Sequence, residues 1–277
     1  MGAVLHLARK TICSELPALV MGIVNATPDS FWSESRKTAA AAVEQALYAV
    51  EQGASIIDIG GESSRPGARY ISAEEELERV IPVIEQLRRR SDCVISVDTR
   101  KKAVMRAAYE AGADMLNDIS ALEDDAEIAA YAAQTDIAVI LMHKRGVPAI
   151  MQKDGAYADA FGEVDAYLQS RAAYAVSCGV AEERIIVDPG IGFGKNLDAN
   201  RVLIARCGKL CGGRYPVLMG LSRKTCIGDM TGKDVSQRLG GTLAANMLAV
   251  QNGASIIRVH DVGETIDMLK VLGSLRL

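Results

Sequence analysis

Short uninterrupted apolar runs recur along the chain, and each is followed by a longer stretch in which apolar residues return with helical spacing. The runs occupy residues 19–26, 55–60, 94–99, 115–118, 137–143, 184–189, 216–222 and 255–261. They are short and rich in Val, Ile and Leu, as expected of parallel strands covered on both faces. Such strand and helix pairs in series predict an α/β fold, a (β/α)8 TIM barrel, with its chemistry at the C-terminal ends of the strands. The second helix has a start signal, Ser72 followed three residues on by Glu75, which is a capping box. Pro82 lacks a backbone N–H and is expected to kink or divide that helix.

The pattern also repeats within itself. Gly53-Ala54-Ser55-Ile56-Ile57 returns as Gly253-Ala254-Ser255-Ile256-Ile257, and Gly112-Ala113-Asp114-Met115-Leu116 is a looser copy. Five positions after each glycine stands a polar residue: Asp58, Arg258 and Asn117. A shared unit places all three near the C-terminal ends of strands. Taken around the barrel, the strand ends offer Asn25, Asp58, Asp98, Asn117, His143, Asp188, Ser222 with Lys224, and Arg258 with His260. Burying a polar group without a partner costs about 1–3 kcal/mol, and a charge more. For any single member a satisfied structural role explains it equally well, whereas the whole ring at one end of the barrel reads as a ligand site.

Composition narrows the class. A chain of 277 residues with no linker or low-complexity tract suits one barrel, so a single domain spanning residues 1–277 is expected. With 49% hydrophobic and 24% charged residues, the composition is globular and neither disordered nor membranous. The net charge of −4 gives no broad basic field, which argues against sequence-independent nucleic-acid binding. The cysteines form no C-x-x-C pair and read as reduced thiols. The N-terminal residues lack a signal-peptide pattern, and no apolar run reaches the roughly 18 residues of a membrane span. A cytoplasmic protein without a membrane partner is the expectation.

The candidate chemistry lies in the strand-end segments. Asp98 and Asp188 close apolar runs, so their carboxylates should occupy a partly dry pocket and favour cationic or N–H-rich ligands. A 2-amino-4-oxo-pyrimidine ring presents adjacent N–H donors that one carboxylate accepts in bidentate fashion, and Asp188, Asn117 and Lys224 suit such a reader. An Asp188–Lys224 ion pair is the plainer alternative. Arg258 and His260 alternate on the last strand and should share a face that a diphosphate can bridge, with a structural ion pair competing for Arg258. Gly60-Gly61-Glu62-Ser63-Ser64-Arg65-Pro66-Gly67 offers glycines for close approach together with hydroxyl and guanidinium donors, or is a simple turn. Asn25 has only a carboxamide to offer a cation, which points to Mg²⁺ shared with phosphates; three histidines without an H-x-x-x-H pattern argue against zinc. Asp188-Pro189-Gly190-Ile191-Gly192-Phe193-Gly194-Lys195 lacks the dinucleotide fingerprint despite its glycines.

These segments together resemble the dihydropteroate synthase family. Met21-Gly22-Ile23-Val24-Asn25 with Thr27-Pro28-Asp29-Ser30-Phe31 resembles the family's first signature, and Gly61-Glu62-Ser63-Ser64-Arg65-Pro66-Gly67 its second. Ser96-Val97-Asp98-Thr99, Asn117-Asp118, Leu141-Met142-His143, Asp188-Pro189-Gly190, Ser222-Arg223-Lys224 and Arg258-Val259-His260-Asp261 follow in family order. The resemblance implies an alkyl-transferring enzyme that condenses 6-hydroxymethyl-7,8-dihydropterin diphosphate with 4-aminobenzoate and releases diphosphate. It implies pterin contacts from Asp58, Asp98, Asn117, Asp188, Lys224 and Arg258, with Asp98, Lys224 and Arg258 as the catalytic groups. It implies diphosphate contacts from Asn25, Arg258 and His260, with Mg²⁺ at Asn25. The 4-aminobenzoate pocket, which is also the target of sulfonamide mimics, falls to Phe31, Ser64, Arg65, Pro66, Phe193, Ser222 and Lys224. A homodimer is implied through outer helices, with residues 242–250 or the last helix as candidate faces. Two departures stand out: Trp32-Ser33-Glu34-Ser35-Arg36-Lys37 where the family commonly continues Ser-Asp-Gly-Gly after its Phe, and Ser64 where Thr is usual. A pterin-binding methyltransferase and a catalytically silent relative are the competing readings, separated by the second substrate.

Overall fold

The structure, a computed structural model, describes residues 2–7, 10–26, 35–63, 70–146 and 157–275. A short antiparallel hairpin, β1 (Ala3–His6) and β2 (Thr11–Ser14), precedes eight parallel strands. These are β3 (Leu19–Asn25), β4 (Ile56–Gly60), β5 (Val94–Asp98), β6 (Met115–Asp118), β7 (Ala138–Met142), β8 (Ile185–Asp188), β9 (Leu218–Met219) and β10 (Ile256–Val259). Their order is β8-β7-β6-β5-β4-β3-β10-β9, and the sheet curls shut where Val187 pairs in parallel with Val217 and donates its N–H to Pro216 O at 3.0 Å. The expected TIM barrel is thus the observed fold. Nine α-helices among the described residues pack outside: α1 (Ser35–Glu51), α2 (Ala73–Arg90), α3 (Lys102–Glu110), α4 (Ile128–Gln134), α5 (Ala160–Ser177), α6 (Leu197–Arg206), α7 (Thr225–Thr231), α8 (Leu239–Gln251) and α9 (Val262–Leu275).

Each strand divides its side chains between two surroundings. Outward residues such as Val20, Ile57, Ile95, Leu116, Val139, Val187 and Ile257 are buried against the helices. Inward residues Leu19, Met21, Ile56, Val94, Met115, Ile140, Ile186, Leu218 and Ile256 form a separate apolar plug, with Leu5 and Leu7 of the hairpin strand and its exit sealing it from below. Sequence reasoning assigned no structure to that hairpin, because four-residue strands at a chain end carry little periodicity. Its function is positional: with a dry floor, only the upper end of the barrel admits polar groups. Burying each such leucine or isoleucine contributes roughly 1.5–3 kcal/mol.

Two local expectations need correction. Helix α2 runs unbroken from Ala73 to Arg90 with Pro82 inside it, so the proline does not divide it. Its fully buried Val80, Val83, Ile84 and Leu87 straddle the proline, and this packing outweighs one missing hydrogen bond. Ser72 does cap the helix, its Oγ accepting from Glu75 N at 3.2 Å, while the Glu75 carboxylate pairs with Arg79 one turn on. The second correction concerns residues 216–222. Their apolar run predicts a full strand, but the β9 ladder holds only Leu218 and Met219, since the chain turns at once and Lys224 N donates to Leu221 O.

The internal repeat has a structural basis. Gly53, Gly112 and Gly253 adopt φ of +103°, +107° and +101°, each ending a helix in the left-handed region that favours glycine. The following alanines, Ala54, Ala113 and Ala254, donate back to the carbonyls of Ala49, Ala108 and Ala249 at 2.8–2.9 Å. Strands β4, β6 and β10 therefore leave their helices along the same path.

Candidate active site

In this barrel class, one layer of inward side chains comes from alternate strands. On β4, β6, β8 and β10 the lower layer is Ile56, Met115, Ile186 and Ile256, all in the apolar plug. Two residues higher on the same strands stand Asp58, Asn117, Asp188 and Arg258. The repeat thus sets three of these four polar residues at one height, and the contacts bear it out. Asp58 Oδ2 accepts from Asn117 Nδ2 at 3.0 Å and from Arg258 Nε at 2.6 Å. Arg258 also reaches Asp98 Oδ2 on the intervening β5, at 2.9 Å. Arg258 is therefore an ion-pair partner, and one guanidinium bridges two carboxylates.

The electrostatics of this layer are under tension. Burial, followed by the neighbouring Asp58 charge, pushes the Asp98 pKa up to about 8, against the pull of Arg258. Asp58 is completely buried, and its Oδ1, like Ser96 Oγ beside it in the β4–β5 register, has no protein partner among the described residues. Orphaned polar atoms at the mouth of a barrel suit a polar ligand.

The wall opposite is the segment after β8. Asp188 Oδ1 accepts from Gly190 N at 2.7 Å; burial raises its pKa, while Lys224, the Gly190 N–H and Lys195 act in the other direction. Lys224 makes no direct ion pair with Asp188. Its ammonium donates to Ile191 O at 2.5 Å and lies 4.8 Å from the centre of the Phe193 ring. Burial lowers its pKa to about 8 despite Asp188, so it changes charge close to neutral pH.

At the rim, Ser222 Oγ and His260 Nδ1 are 2.9 Å apart, joining the ends of β9 and β10. Between Ser222 and Lys224, Arg223 takes φ of +54° and turns away to clasp Asp261 with two hydrogen bonds of 2.8 and 2.7 Å. Asn25 is exposed at the end of β3, in register with Gly60, itself in register with Asp98. No side chain therefore separates Asn25 from Asp98 along that row. Its carboxamide oxygen is a hard donor at an open position, which fits a Mg²⁺ ion completed by phosphate and water oxygens.

One sequence candidate turns elsewhere, as does the neighbour of another. His143 follows inward-facing Met142 and so faces outward, its ring edge-on to Tyr167 at 4.9 Å between centres; burial lowers its pKa to about 3 and keeps it neutral. Asp118 points outward from β6 and accepts from Ser120 N, Ser120 Oγ and Leu122 N, shaping a turn. Glu62, in the glycine-rich segment read as an anion loop, accepts from Ile71 N at 2.8 Å and pairs with Arg100 and Lys101. It thereby ties residue 62 to residue 71. Phe31, Ser64, Arg65 and Pro66 lie outside the described residues.

Residues 21–260 match the family described as pterin binding enzyme. The dihydropteroate synthase of Escherichia coli strain K12 is 45% identical over 254 residues, covering 91% of this chain and 90% of that protein. The chain belongs to the dihydropteroate synthase family. Solved structures agree across the whole length. The Xanthomonas albilineans dihydropteroate synthase with 4-aminobenzoic acid superposes with a TM-score of 0.90 at 43% identity, covering 100% of this chain and 99% of that one. The same organism's dihydropteroate synthase in complex with 7,8-dihydropteroate gives a TM-score of 0.86 at 40% identity, with 99% and 98% covered. Members of the dihydropteroate synthase family are transferases, and the present chain is an enzyme of that class.

Proposed function

We propose that the protein joins 6-hydroxymethyl-7,8-dihydropterin diphosphate to 4-aminobenzoate, forming 7,8-dihydropteroate and releasing diphosphate. The observation that carries this reading is the buried layer of Asp58, Asn117, Asp188 and Arg258 with Asp98 above it, in a chain of this family. Asp188 accepts the adjacent N–H donors of the pterin's aminopyrimidine, while Asn117 and Lys224 take the remaining ring nitrogens and the carbonyl. Arg258 packs against the ring and, with His260, faces the diphosphate.

The bond from the pterin methylene carbon to the diphosphate oxygen breaks early, and the electron pair leaves with diphosphate. The carbon becomes cationic and is delocalised into the pterin, where the Asp98 carboxylate stabilises it. The 4-aminobenzoate nitrogen then bonds to that carbon and sheds one proton. An aniline nitrogen is a modest nucleophile, so its placement by Ser222, Phe193, Lys224 and the segment carrying Ser64, Arg65 and Pro66 governs the rate. By the family resemblance Phe31 also contributes to 4-aminobenzoate binding. Asn25 would hold Mg²⁺, which when bound neutralises charge on the departing diphosphate.

Incubation with dihydropterin diphosphate, labelled 4-aminobenzoate and Mg²⁺ tests this reading. Label should appear in dihydropteroate. Pterin binding with no label transferred would overturn it in favour of a silent relative, or of a methyltransferase if a methyl-folate is consumed instead. Asp261→Asn is expected to weaken the hold on Arg223, leaving it its contacts with Val235 O and Ser236 O, and so to loosen the turn that sets Ser222 and Lys224. The KM for 4-aminobenzoate should rise about ten-fold, while a partly exposed pair contributes only about 1 kcal/mol of stability. Steady-state kinetics beside a melting curve checks both parts.

The enzyme works as a homodimer in the cytoplasm. Helix α8 exposes Met247 and Leu248, and the neighbouring α6 and α7 expose Val202 and Met230, apolar side chains that a second copy could cover. The six cysteines are all free thiols, which suits a reducing compartment. Replacing Met247 and Leu248 with glutamate should convert a dimer into a monomer in sedimentation equilibrium, and a parent that sediments as a monomer would refute the assignment.

A further inference from the structure

Lys195 is buried, and the mechanism above leaves it unused. Its ammonium donates to three backbone carbonyls: Gly190 O at 2.8 Å, Phe193 O at 3.1 Å and His143 O at 3.2 Å. An ammonium has three N–H donors, and all are matched. The surrounding chain explains why a cation belongs there. Gly190 and Gly194 hold φ of +65° and +66°, and a Cβ on either would fall 1.9 Å from His143 O or 2.4 Å from Arg145 O. The segment after β8 therefore lies backbone to backbone on the end of β7, with carbonyl dipoles converging on one point. Converging carbonyls repel each other unless a cation sits among them, as they do around a bound metal ion.

What this clamp holds bears directly on the pocket. Both contacts of Lys224 described above, Ile191 O and the Phe193 ring, lie on the stretch that Lys195 grips at Gly190 and Phe193. Gly190 N is also the hydrogen bond to Asp188 Oδ1. From outside, Asn200 completes the arch, accepting from Gly192 N at 2.9 Å and donating to Lys195 O at 3.2 Å. We propose that Lys195 is a positioning residue for the reaction: a built-in cation that fixes the segment after β8 and so sets where Asp188, Phe193 and Lys224 meet the substrates.

The charged groups around Lys195 are Asp188, which favours its proton, and Lys224 and Arg145, which oppose it. Burial draws its pKa well below that of an ordinary lysine. Three carbonyl dipoles and the Asp188 carboxylate hold the proton against that pull. The Lys195 charge in turn lowers the Asp188 pKa. A pterin that requires ionised Asp188 is lost as pH falls through that pKa, so removing the Lys195 charge moves the acid limit of pterin binding upward.

The inference rests on the reading of the pocket as a pterin and 4-aminobenzoate site. Its test is Lys195→Met, which keeps the length of the side chain and removes charge and donors. Pterin affinity, followed by the fluorescence of 6-hydroxymethylpterin, should fall about ten-fold or more, with the acid limb displaced to higher pH, and the KM for 4-aminobenzoate should rise by a similar factor. In Lys195→Ala, added ethylammonium should restore part of both, and tetramethylammonium, which has no N–H, should not. A folded Met variant with parental affinity, KM and pH limb overturns the proposal, as does ethylammonium that restores the melting temperature and neither constant. Should both variants fail to fold, lysine-¹⁵Nζ NMR of the parent decides. A solvent-protected Lys195 NH₃⁺ signal that moves when pterin binds supports the clamp, and a neutral or freely exchanging amine refutes it. A parent that makes no dihydropteroate refutes the functional reading instead, and the binding and NMR measurements do not depend on turnover.

Discussion

Asp98→Asn is expected to lower kcat by about 10²–10³, the range seen when one electrostatic stabiliser of a transition state is removed, while leaving the protein at least as stable as the parent. The two effects share a cause. Asp98 stands beside the buried Asp58 with one guanidinium between them, and its pKa is pushed from 3.8 up to about 8 by burial and by that neighbouring charge. A carboxyl whose folded pKa lies above its unfolded value loses stability as pH rises from about 4 to about 8, because ionisation is disfavoured in the fold. Asparagine can still accept from Arg258 through its amide oxygen, yet it introduces no charge. The melting temperature of the variant should therefore match or exceed that of the parent at pH 8. For the parent, kcat/KM for dihydropterin diphosphate should climb with pH as Asp98 ionises, and this limb should vanish in the variant. A variant with parental kcat would show that the carboxylate does not stabilise developing positive charge. A variant that is inactive and also much less stable would show that Asp98 serves the fold.

The residues that made this site readable are those whose placement follows from local rules. Alternation along a strand sends Asp58, Asn117 and Arg258 inward once Ile56, Met115 and Ile256 are known to be core, and the repeated glycine starts each copy in the same phase. The same parity rule, applied strictly, excludes His143, which stands one position out of phase with inward-facing Met142. Other features depend on contacts that leave no local trace. The Lys195 ammonium meets main-chain carbonyls, which every residue possesses, so its role has no signature in the sequence. Glu62 closes a segment onto Ile71 and two cations from the next strand's end, and neither distance nor direction can be read from a glycine-rich run. The early end of β9 likewise follows from the turn at Leu221 and Lys224, which pulls an apolar stretch out of the ladder.

Arg258→Met should be the most destabilising of the changes considered. The guanidinium is the only side-chain cation bonded to Asp58 or Asp98 among the described residues, and their side chains are 0% and 16% exposed. Methionine fills much of the volume and leaves the two buried carboxyl groups with no cation between them, so that ionising both is disfavoured still further. Breaking a buried ion pair by removing one partner costs about 3–5 kcal/mol, or roughly 10 °C in melting temperature for a chain of this size. The sign of the pH dependence separates this cause from lost packing. Arg258 is the group that holds the Asp98 pKa down, so in its absence that pKa rises further. Below about 8 Asp98 keeps its proton in both folds, and the loss is constant; above about 8 the parent ionises Asp98 and the variant does not, so the loss relative to the parent grows as pH rises. A packing defect would be the same at both pH values. Arg258→Lys, which keeps a charge but cannot reach both carboxylates with a planar fork, should recover part of the stability and little of the activity. Denaturation curves of the parent and both variants at about pH 6.5 and about pH 9.5 resolve the question: a loss for Arg258→Met that does not shrink at the lower pH would mean that the guanidinium is held for its shape, and that the two carboxyl groups tolerate each other without it.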